Sequence, residues 1–590
     1  MYPRVKRVRR GNQVHEYLQL VEGRREEGKV RQRVVATLGR LDELKASGQL
    51  DRWAGAFSRL DPPLVGTHRE VGSLILVEHY LRRLGLVGLV DAAVPMRGRS
   101  LLTHGEVIAA LVASRLCSPS PLYDVAGWAS TAAVTELLQV PSGLLNDDRL
   151  GRALEALARV AEDVRGKLLM RTVQEFPSVV DASRLHLDLT AVRFAGAYED
   201  SALVAKGWAA DRSIGRQVKT LQASTKAGVA VYFRPHKGSD SELPAFVAAI
   251  ETLAATLPPG LVVVADSGLG YLENLCALDA KKVQFVVPLR ADTGWAARFC
   301  ADVPAGLNAL KPLDYVSYRE QRLAPGERTV WRGLVRSFPV TAADGTHHDL
   351  RVAYIWSSEE AASVQAARQR ALDKAEQALT HIRNGLGGRY YKKRKQVDAK
   401  VAQILTGQVS GLITVTTGTH AGKPTISWRR DDNAIAAASA LDGLYALATN
   451  FPDPDDRLLT ALDVLLVYKD QWIVEQRHRD LKQTLRVRPV FLHNDDRIEA
   501  LIAVIGMALL IFGLIEADLR AALGDGVPLP GILPEGRAAK PTARAALAAF
   551  DGLSVTYTSN GLILDRLTQV QRIILALLGI PLPWPEQAGD

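Results

Sequence analysis

The chain has 590 residues, 47% of them hydrophobic and 23% charged, which fits two to four folded domains and excludes a disordered protein. Its net charge is +9 and its pI near 9.3; the three cysteines, Cys117, Cys276 and Cys300, are widely spaced with no CxxC pair, which argues against a disulfide framework or a structural zinc site. No apolar stretch follows the basic opening, and the longest apolar run, Ala500 to Ile515, falls short of the roughly 20 residues that span a bilayer, so a cytoplasmic protein with a buried core helix and no membrane partner is expected.

Residues 1–40 hold eleven Lys and Arg against four Glu, with Lys6, Arg7, Arg9 and Arg10 close together. Gln13 to Glu22 and Val30 to Leu38 have the patterning of two strands around a loop at Gly23 to Gly28, so 1–66 reads as a basic β-hairpin module. Residues 67–178 read as a helical region: Thr103-His-Gly-Glu106 is a capping box ahead of an apolar-periodic run, and Asn146-Asp-Asp148 opens a second helix. Together these two regions are expected to hold DNA, because clustered cations suit a phosphate backbone.

From about 180 the pattern changes to strands. Leu185 to Thr190, Val218 to Ser224 and Val229 to Arg234 read as a meander, followed by a helix (241–256), a strand (261–265), another helix and a strand (283–289). That order predicts an α/β fold, an RNase H-like mixed sheet whose first part is 179–290. Residues 291–457 interrupt it as a β-rich insertion, with a charged helix near 359–383 and strands near 412–416, 425–428 and 443–449. The insertion also carries Arg389-Tyr-Tyr-Lys392-Lys393-Arg394-Lys395, a second basic run with no acid. A long helix from Leu458 to Leu485 resumes the core over 458–528, and 529–590 is a C-terminal region ending in a strand and a helix.

Three acids stand out within this order. Asp188 lies in Leu185-His-Leu-Asp-Leu-Thr190, which taken alone is what any one-sided strand with a polar face shows. Asp266 ends the apolar run Leu261-Val-Val-Val-Ala265 just before Ser267-Gly268. The carboxyl ends of strands are where sites gather in open α/β sheets, yet Asp-Ser-Gly is also ordinary turn chemistry. On the helix bearing Glu475, at about 100° per residue, Tyr468, Gln471, Glu475, Arg479 and Lys482 fall in one stripe roughly 80° wide. A surface helix with a Glu475–Arg479 pair would give the same pattern.

Taken together, these residues resemble the DDE transposases of bacterial insertion sequences that carry a YREK signature, Tyr-x2-Arg-x3-Glu-x6-Lys. Tyr468, Glu475 and Lys482 match it at the same spacing, and Gln471 stands where the pattern has Arg. That departure removes a permanent charge and a bidentate phosphate fork, with Arg479, one turn beyond Glu475, the candidate to compensate. Asp188 resembles the family's first catalytic Asp and Asp266, with Asn274 after it, the second. The family's β-rich insertion would account for the much longer chain between Asp266 and Glu475 than between Asp188 and Asp266.

The resemblance implies that Asp188, Asp266 and Glu475 are catalytic and bind two Mg2+ or Mn2+ ions, a preference that oxygen-only ligands share. Asp188 would bridge both ions. It implies hydrolysis at the element's ends, then attack of the freed 3′-hydroxyl on target DNA by a homodimer on double-stranded DNA in a bacterial, nucleoid-associated setting. Tyr468 and Lys482 would position the phosphate or flanking strand. Two other readings remain at this point: a catalytically decayed DNA-binding descendant, which Gln471 keeps open although the intact acids argue against it, and an RNase H-like nuclease without strand transfer, which would not need so large an insertion or a basic N-terminal module. No Walker A, HExxH, GxSxG or dinucleotide fingerprint supports a small-molecule enzyme.

Overall fold

The computed structural model describes residues 2–10, 13–26, 29–47, 49, 65–95, 101–208, 213–240, 242–257, 260–317, 320–455, 457–469, 472–480, 485, 492–524 and 526–587. At the N-terminus, β1 (Tyr2–Arg10), β2 (Gln13–Glu26) and β3 (Lys29–Arg40) form an antiparallel sheet in the order β1–β2–β3. The sequence pattern predicted only the β2–β3 hairpin. β1 escapes it because Val5 and Val8 do not alternate; cross-strand pairing along β2, from Tyr2–Val21 to Arg10–Gln13, makes it a strand.

After β4 (His68–Glu70) come the helices Leu74–Leu84, Leu86–Ala93, His104–Cys117, Asp147–Ala158 and Ala161–Glu175, with shorter ones between. The capping box at Thr103 is made: Glu106 N donates to Thr103 Oγ1 (3.1 Å) and Thr103 N donates to Glu106 Oε2 (2.7 Å). Asn146 caps its helix by accepting from Arg149 N (2.9 Å).

The central sheet starts with β5 (Arg184–Arg193), β6 (Ala205–Trp208), β7 (Ile214–Thr225) and β8 (Ala230–Lys237). β5 and β7 are antiparallel; β8 and β6 share the far edge of β7, pairing with Val218–Ser224 and Ile214–Gln217. The helix Glu242–Thr256 leads to β9 (Val262–Ala265), parallel to β5, and the helix Leu272–Ala280 leads to β10 (Gln284–Pro288), parallel to β9. The order β8–β7–β5–β9–β10 therefore joins an antiparallel meander to a parallel half. The fold is mixed α/β around a large mixed sheet.

The chain between 291 and 457 continues this sheet. β11 (Lys311–Pro312), β12 (Trp331–Thr341) and β13 (His347–Ser357) end on β16 (Leu444–Thr449), which pairs antiparallel with β10. Between β13 and β16, the helices Ser358–Asn384 and Arg394–Ile404 pack with the hairpin β14 (Ile413–His420) and β15 (Lys423–Arg430) around a small core of their own, including Leu379, Val397 and Ile426.

Of the predicted Leu458–Leu485 helix, the described parts are Ala461–Lys469 and Trp472–Arg479. The first begins at Ala461 because Thr460 and Asp463 cap each other: Thr460 N donates to Asp463 Oδ2 (2.9 Å) and Asp463 N to Thr460 Oγ1 (3.3 Å). The apolar run near 500 lies in Asp495–Leu523, the one helix among the described residues long and apolar enough to cross a membrane; 94% of that apolar window is buried inside the protein. Asp495–Leu523 packs on β8, on the helices His104–Cys117 and Asp147–Ala158, and on the C-terminal helices Ala543–Ala548 and Gln569–Leu578. One continuous hydrophobic core thus runs from Val71 to Ile580. The C-terminal strands β17 (Ser554–Thr558) and β18 (Gly561–Leu564) close on β4, a long-range pairing that local patterning cannot reveal.

Candidate active site

Asp188 occupies the middle of β5, paired with Gln222 of β7 on one side and one residue past the last β9 pair, Leu187–Ala265, on the other. Its neighbours on the same face, His186 and Thr190, are buried (0% and 7% exposed), so a strand with one solvated face is excluded. What covers that face is the helix Trp472–Arg479, which packs on β5 and β7. Asp188 Oδ1 accepts from Leu189 N (2.7 Å) and Oδ2 lies 3.1 Å from His478 Nδ1.

Asp266 follows β9 directly. The parallel register pairs Leu187 with Ala265, so Asp188 and Asp266 are the next residues on neighbouring strands, which in a sheet run about 4.8 Å apart and point successive side chains to matching faces. Asp266 Oδ1 accepts from Gly268 N (2.9 Å), and the buried Asn274 donates from Nδ2 to Leu269 O (3.2 Å). The loop lies hard against the end of β10: a Cβ on Gly270 would fall 2.1 Å from Pro288 O, so only glycine fits there. Turn chemistry and site geometry coexist at Asp266, the turn fixing the carboxylate at the strand end.

Glu475 is exposed on the helix Trp472–Arg479, and His478 lies three residues on, on the adjoining face. Tyr468, partly buried at the end of Ala461–Lys469, relates it to Asp266. Burial, together with the carboxylates of Asp266 and Glu475, pushes the Tyr468 hydroxyl up to about 12. Both acids are therefore within electrostatic reach of one phenol. Beside it, Lys469 Nζ sits 4.3 Å from the Trp331 ring centre, with its pKa lowered by burial, tying this helix to β12.

The sequence pattern missed the residues that seat the helix. Arg477 is 2% exposed: Nε donates to Gly228 O (2.5 Å), Nη1 to Asp480 (2.9 Å) and Nη2 to Glu516 (2.7 Å). Glu516, buried in Asp495–Leu523, also accepts from Ala543 N (3.0 Å) and pairs with Arg520 (2.8 Å). Gly228 adopts φ +81 in the β7–β8 turn, a left-handed conformation that presents its carbonyl to Arg477. No local sequence pattern marks Arg477 or His478 as inward-facing, since their partners Gly228, Glu516 and Asp188 lie far away in the chain.

The remaining predicted contacts scatter. Arg479 is exposed, one turn past Glu475; Gln471 and Lys482 lie outside the described residues. Lys6, Arg7 and Arg9 are exposed on β1, Arg7 paired with Glu16 (2.8 Å), and Arg10 ends the strand. Lys392, Lys393, Arg394 and Lys395 are exposed where a turn enters Arg394–Ile404, their backbone secured by Gln396, which accepts from the N–H groups of Lys392 and Lys393 (3.0 Å each). Arg394 pairs with Asp398 (3.7 Å). Tyr391 packs inward beside His381, while Tyr390 is 73% exposed.

For a divalent ion the donor set is all oxygen, as hard cations require. A carboxylate oxygen that accepts one hydrogen bond retains a further lone pair, so Asp188 and Asp266 keep acceptor capacity beside the contacts named above. The side chains as they stand do not close around one ion: among the described residues no three His, Cys, Asp or Glu groups do so. The residues thus fit the ion in the chemistry of their donors and, for Asp188 and Asp266, in strand register.

Three families match the sequence. Residues 3–60 match the IS1634 family transposase N-terminal domain, 67–164 a domain of unknown function, DUF4277, and 180–511 the transposase DDE domain. No curated protein matches. Among solved structures, the piggyBac transposase synaptic complex with hairpin DNA, determined by cryo-EM, is similar at 9% identity and a TM-score of 0.32, covering 76% of this chain and 77% of its own.

Proposed function

Because the chain belongs to the insertion-sequence transposases with a DDE domain, we propose that it cuts and joins DNA strands at Asp188, Asp266 and Glu475 in an RNase H-like core. The observation that carries this reading is the register of β5 on β9, which sets Asp188 and Asp266 level, with the Glu475 helix packed over the same strand. The strand order β8–β7–β5–β9–β10 supports the core assignment.

Asp188, Asp266 and Glu475 would hold two Mg2+ or Mn2+ ions. Divalent ions bound there would polarise the scissile phosphate and lower the pKa of the attacking water. The protein's own groups do the rest. Tyr468 keeps its proton well past neutral pH, so its hydroxyl is a donor for a phosphate oxygen beside Asp266 and Glu475. Arg479, with Gln471 and Lys482, would steady the flanking strand. Lys6, Arg7, Arg9 and Arg10, and Lys392 to Lys395, would bind backbone phosphates of the element ends and target, and two copies of the chain would bridge the two ends. Such contacts make binding fall steeply with salt.

The test incubates the full-length protein with labelled DNA from the flanks of its own gene, with Mg2+, Mn2+ or EDTA. Metal-dependent cleavage at a defined end, reduced about 10³-fold or more by Asp188→Asn and by Glu475→Ala, is expected, with joining of the freed 3′ ends to a target duplex. Cleavage that survives Asp188→Asn would falsify the assignment. Binding without cleavage would leave a DNA-binding descendant, and cleavage without joining a nuclease.

A further inference from the structure

The helix that carries Glu475 also touches Asp188, through a residue that the proposed chemistry does not use. His478 is 7% exposed, with its Nδ1 3.1 Å from Asp188 Oδ2. Its Nε2 is buried without a hydrogen-bond partner among the described residues, so the contact with Asp188 is where the ring's polarity is satisfied. The opposite carboxylate oxygen is held by Leu189 N at 2.7 Å. Asp188 is therefore gripped at both oxygens, once by its own strand and once by the helix.

We propose that His478 is a positioning residue that fixes the rotamer of Asp188 for metal binding and couples the placement of Asp188 to that of Glu475. The inference rests on the reading of Asp188 as a metal ligand given above. The coupling follows from helix geometry. His478 lies three residues from Glu475, and at 1.5 Å rise per residue the two are under one turn apart. Once Nδ1–H donates to Asp188 Oδ2, the helix cannot slide along β5 without breaking that contact. The neighbouring Arg477, anchored to Gly228, Asp480 and Glu516, holds the same turn from behind. A ligand oriented by an outer hydrogen-bond partner binds metal more tightly, and loss of such a partner typically weakens metal affinity about 10–100-fold.

The experiment titrates Mn2+ into the metal-free full-length protein without DNA, reading free Mn2+ by electron paramagnetic resonance, for wild type, Asp188→Asn, His478→Phe and His478→Asn. Melting temperatures are recorded alongside. His478→Phe fills the ring space without a donor and is expected to weaken Mn2+ binding at least tenfold. His478→Asn places an amide N–H near the Nδ1 position and is expected to stay within about threefold of wild type. A purely structural role would move the melting temperature without ranking Asn above Phe in Mn2+ affinity. Mn2+ binding by a folded His478→Phe within twofold of wild type, with Asp188→Asn impaired, overturns this inference and leaves the catalytic reading intact. So does a folded His478→Asn that loses tenfold or more, which decides the matter even if the Phe variant does not fold. Unchanged binding in Asp188→Asn overturns both.

Discussion

Asp188, on β5, and Asp266, just past the end of β9, each follow the last pair of that parallel register, Leu187–Ala265, and are set level by backbone hydrogen bonds that any sequence with this register would make. Glu475 stands on the helix Trp472–Arg479, whose seat is a set of buried polar groups, Arg477 on Glu516 and Gly228, and His478 on Asp188. The strand pair is held by the main chain, the helix by side chains brought together from distant sequence. The first arrangement tolerates side-chain change around it. The second concentrates its stability in a few charged groups, where the loss of one partner leaves another buried and unpaired.

The largest effect expected from that difference is at Arg477. Removing one partner of a buried, hydrogen-bonded ion pair costs about 3–5 kcal/mol, whereas replacing both with apolar groups is often close to neutral. Arg477→Met is therefore expected to lower the melting temperature strongly and abolish end cleavage, and Arg477→Met with Glu516→Leu to recover much of the stability, measured as a double-mutant cycle. Arg520 and Ala543 N would remain beside a lone Glu516 and soften the first loss. Single and double variants that melt alike would mean that packing, rather than the pair, seats the helix.

The same contrast explains what could be read beforehand. Strand β9 ending in Asp266 announces itself as an apolar run broken by an acid and a glycine, and the alternation around Asp188 marks β5; both signals are local. Glu475 is legible through its spacing to Tyr468 and Lys482, again a local pattern. Arg477 and His478 are not, because their partners Gly228, Glu516 and Asp188 lie far away in the chain and a helix wheel cannot tell an inward cation from a solvated one. The pairing of β17 with β4 and the joining of β16 to β10 were hidden for the same reason. β1 was missed because its apolar residues lack the alternation on which strand recognition depends.

On the strand side the sensitive point is backbone clearance. Gly270→Ala puts a methyl 2.1 Å from Pro288 O, and relief requires the Asp266 loop to move. Overpacking of this kind costs about 1–3 kcal/mol, less than the loss at Arg477. A shift near 1 Å in a catalytic group can nonetheless slow a reaction about 10²-fold. The expected variant melts a few degrees lower, retains DNA binding in a gel-shift assay and cleaves far more slowly. Wild-type cleavage in Gly270→Ala would show that the loop position does not set Asp266, and the strand side would then be less rigid than the register implies.

The smallest effect is expected at Tyr468, and it bears on whether the two sides meet at all. Its hydroxyl is raised to about 12 by burial and by Asp266, from the strand side, and Glu475, from the helix side. An unfolded tyrosine ionises near pH 10. The folded state therefore holds the proton more tightly, and the stability this residue contributes is fully present below pH 10 and is lost as pH rises through about 12. In metal-free protein, the difference in absorbance at 295 nm between wild type and Tyr468→Phe should show no ionisation of this group at pH 10, and the stability gap between the two should shrink only above it. The pH–rate profiles of cleavage for the two proteins should run parallel from pH 7 to 10, with Tyr468→Phe slower by a single factor. Ionisation of Tyr468 near 10 in the folded protein would mean that the phenol does not face both carboxylates. Glu475 would then be held by its helix apart from the strand acids, and its approach would have to come with DNA.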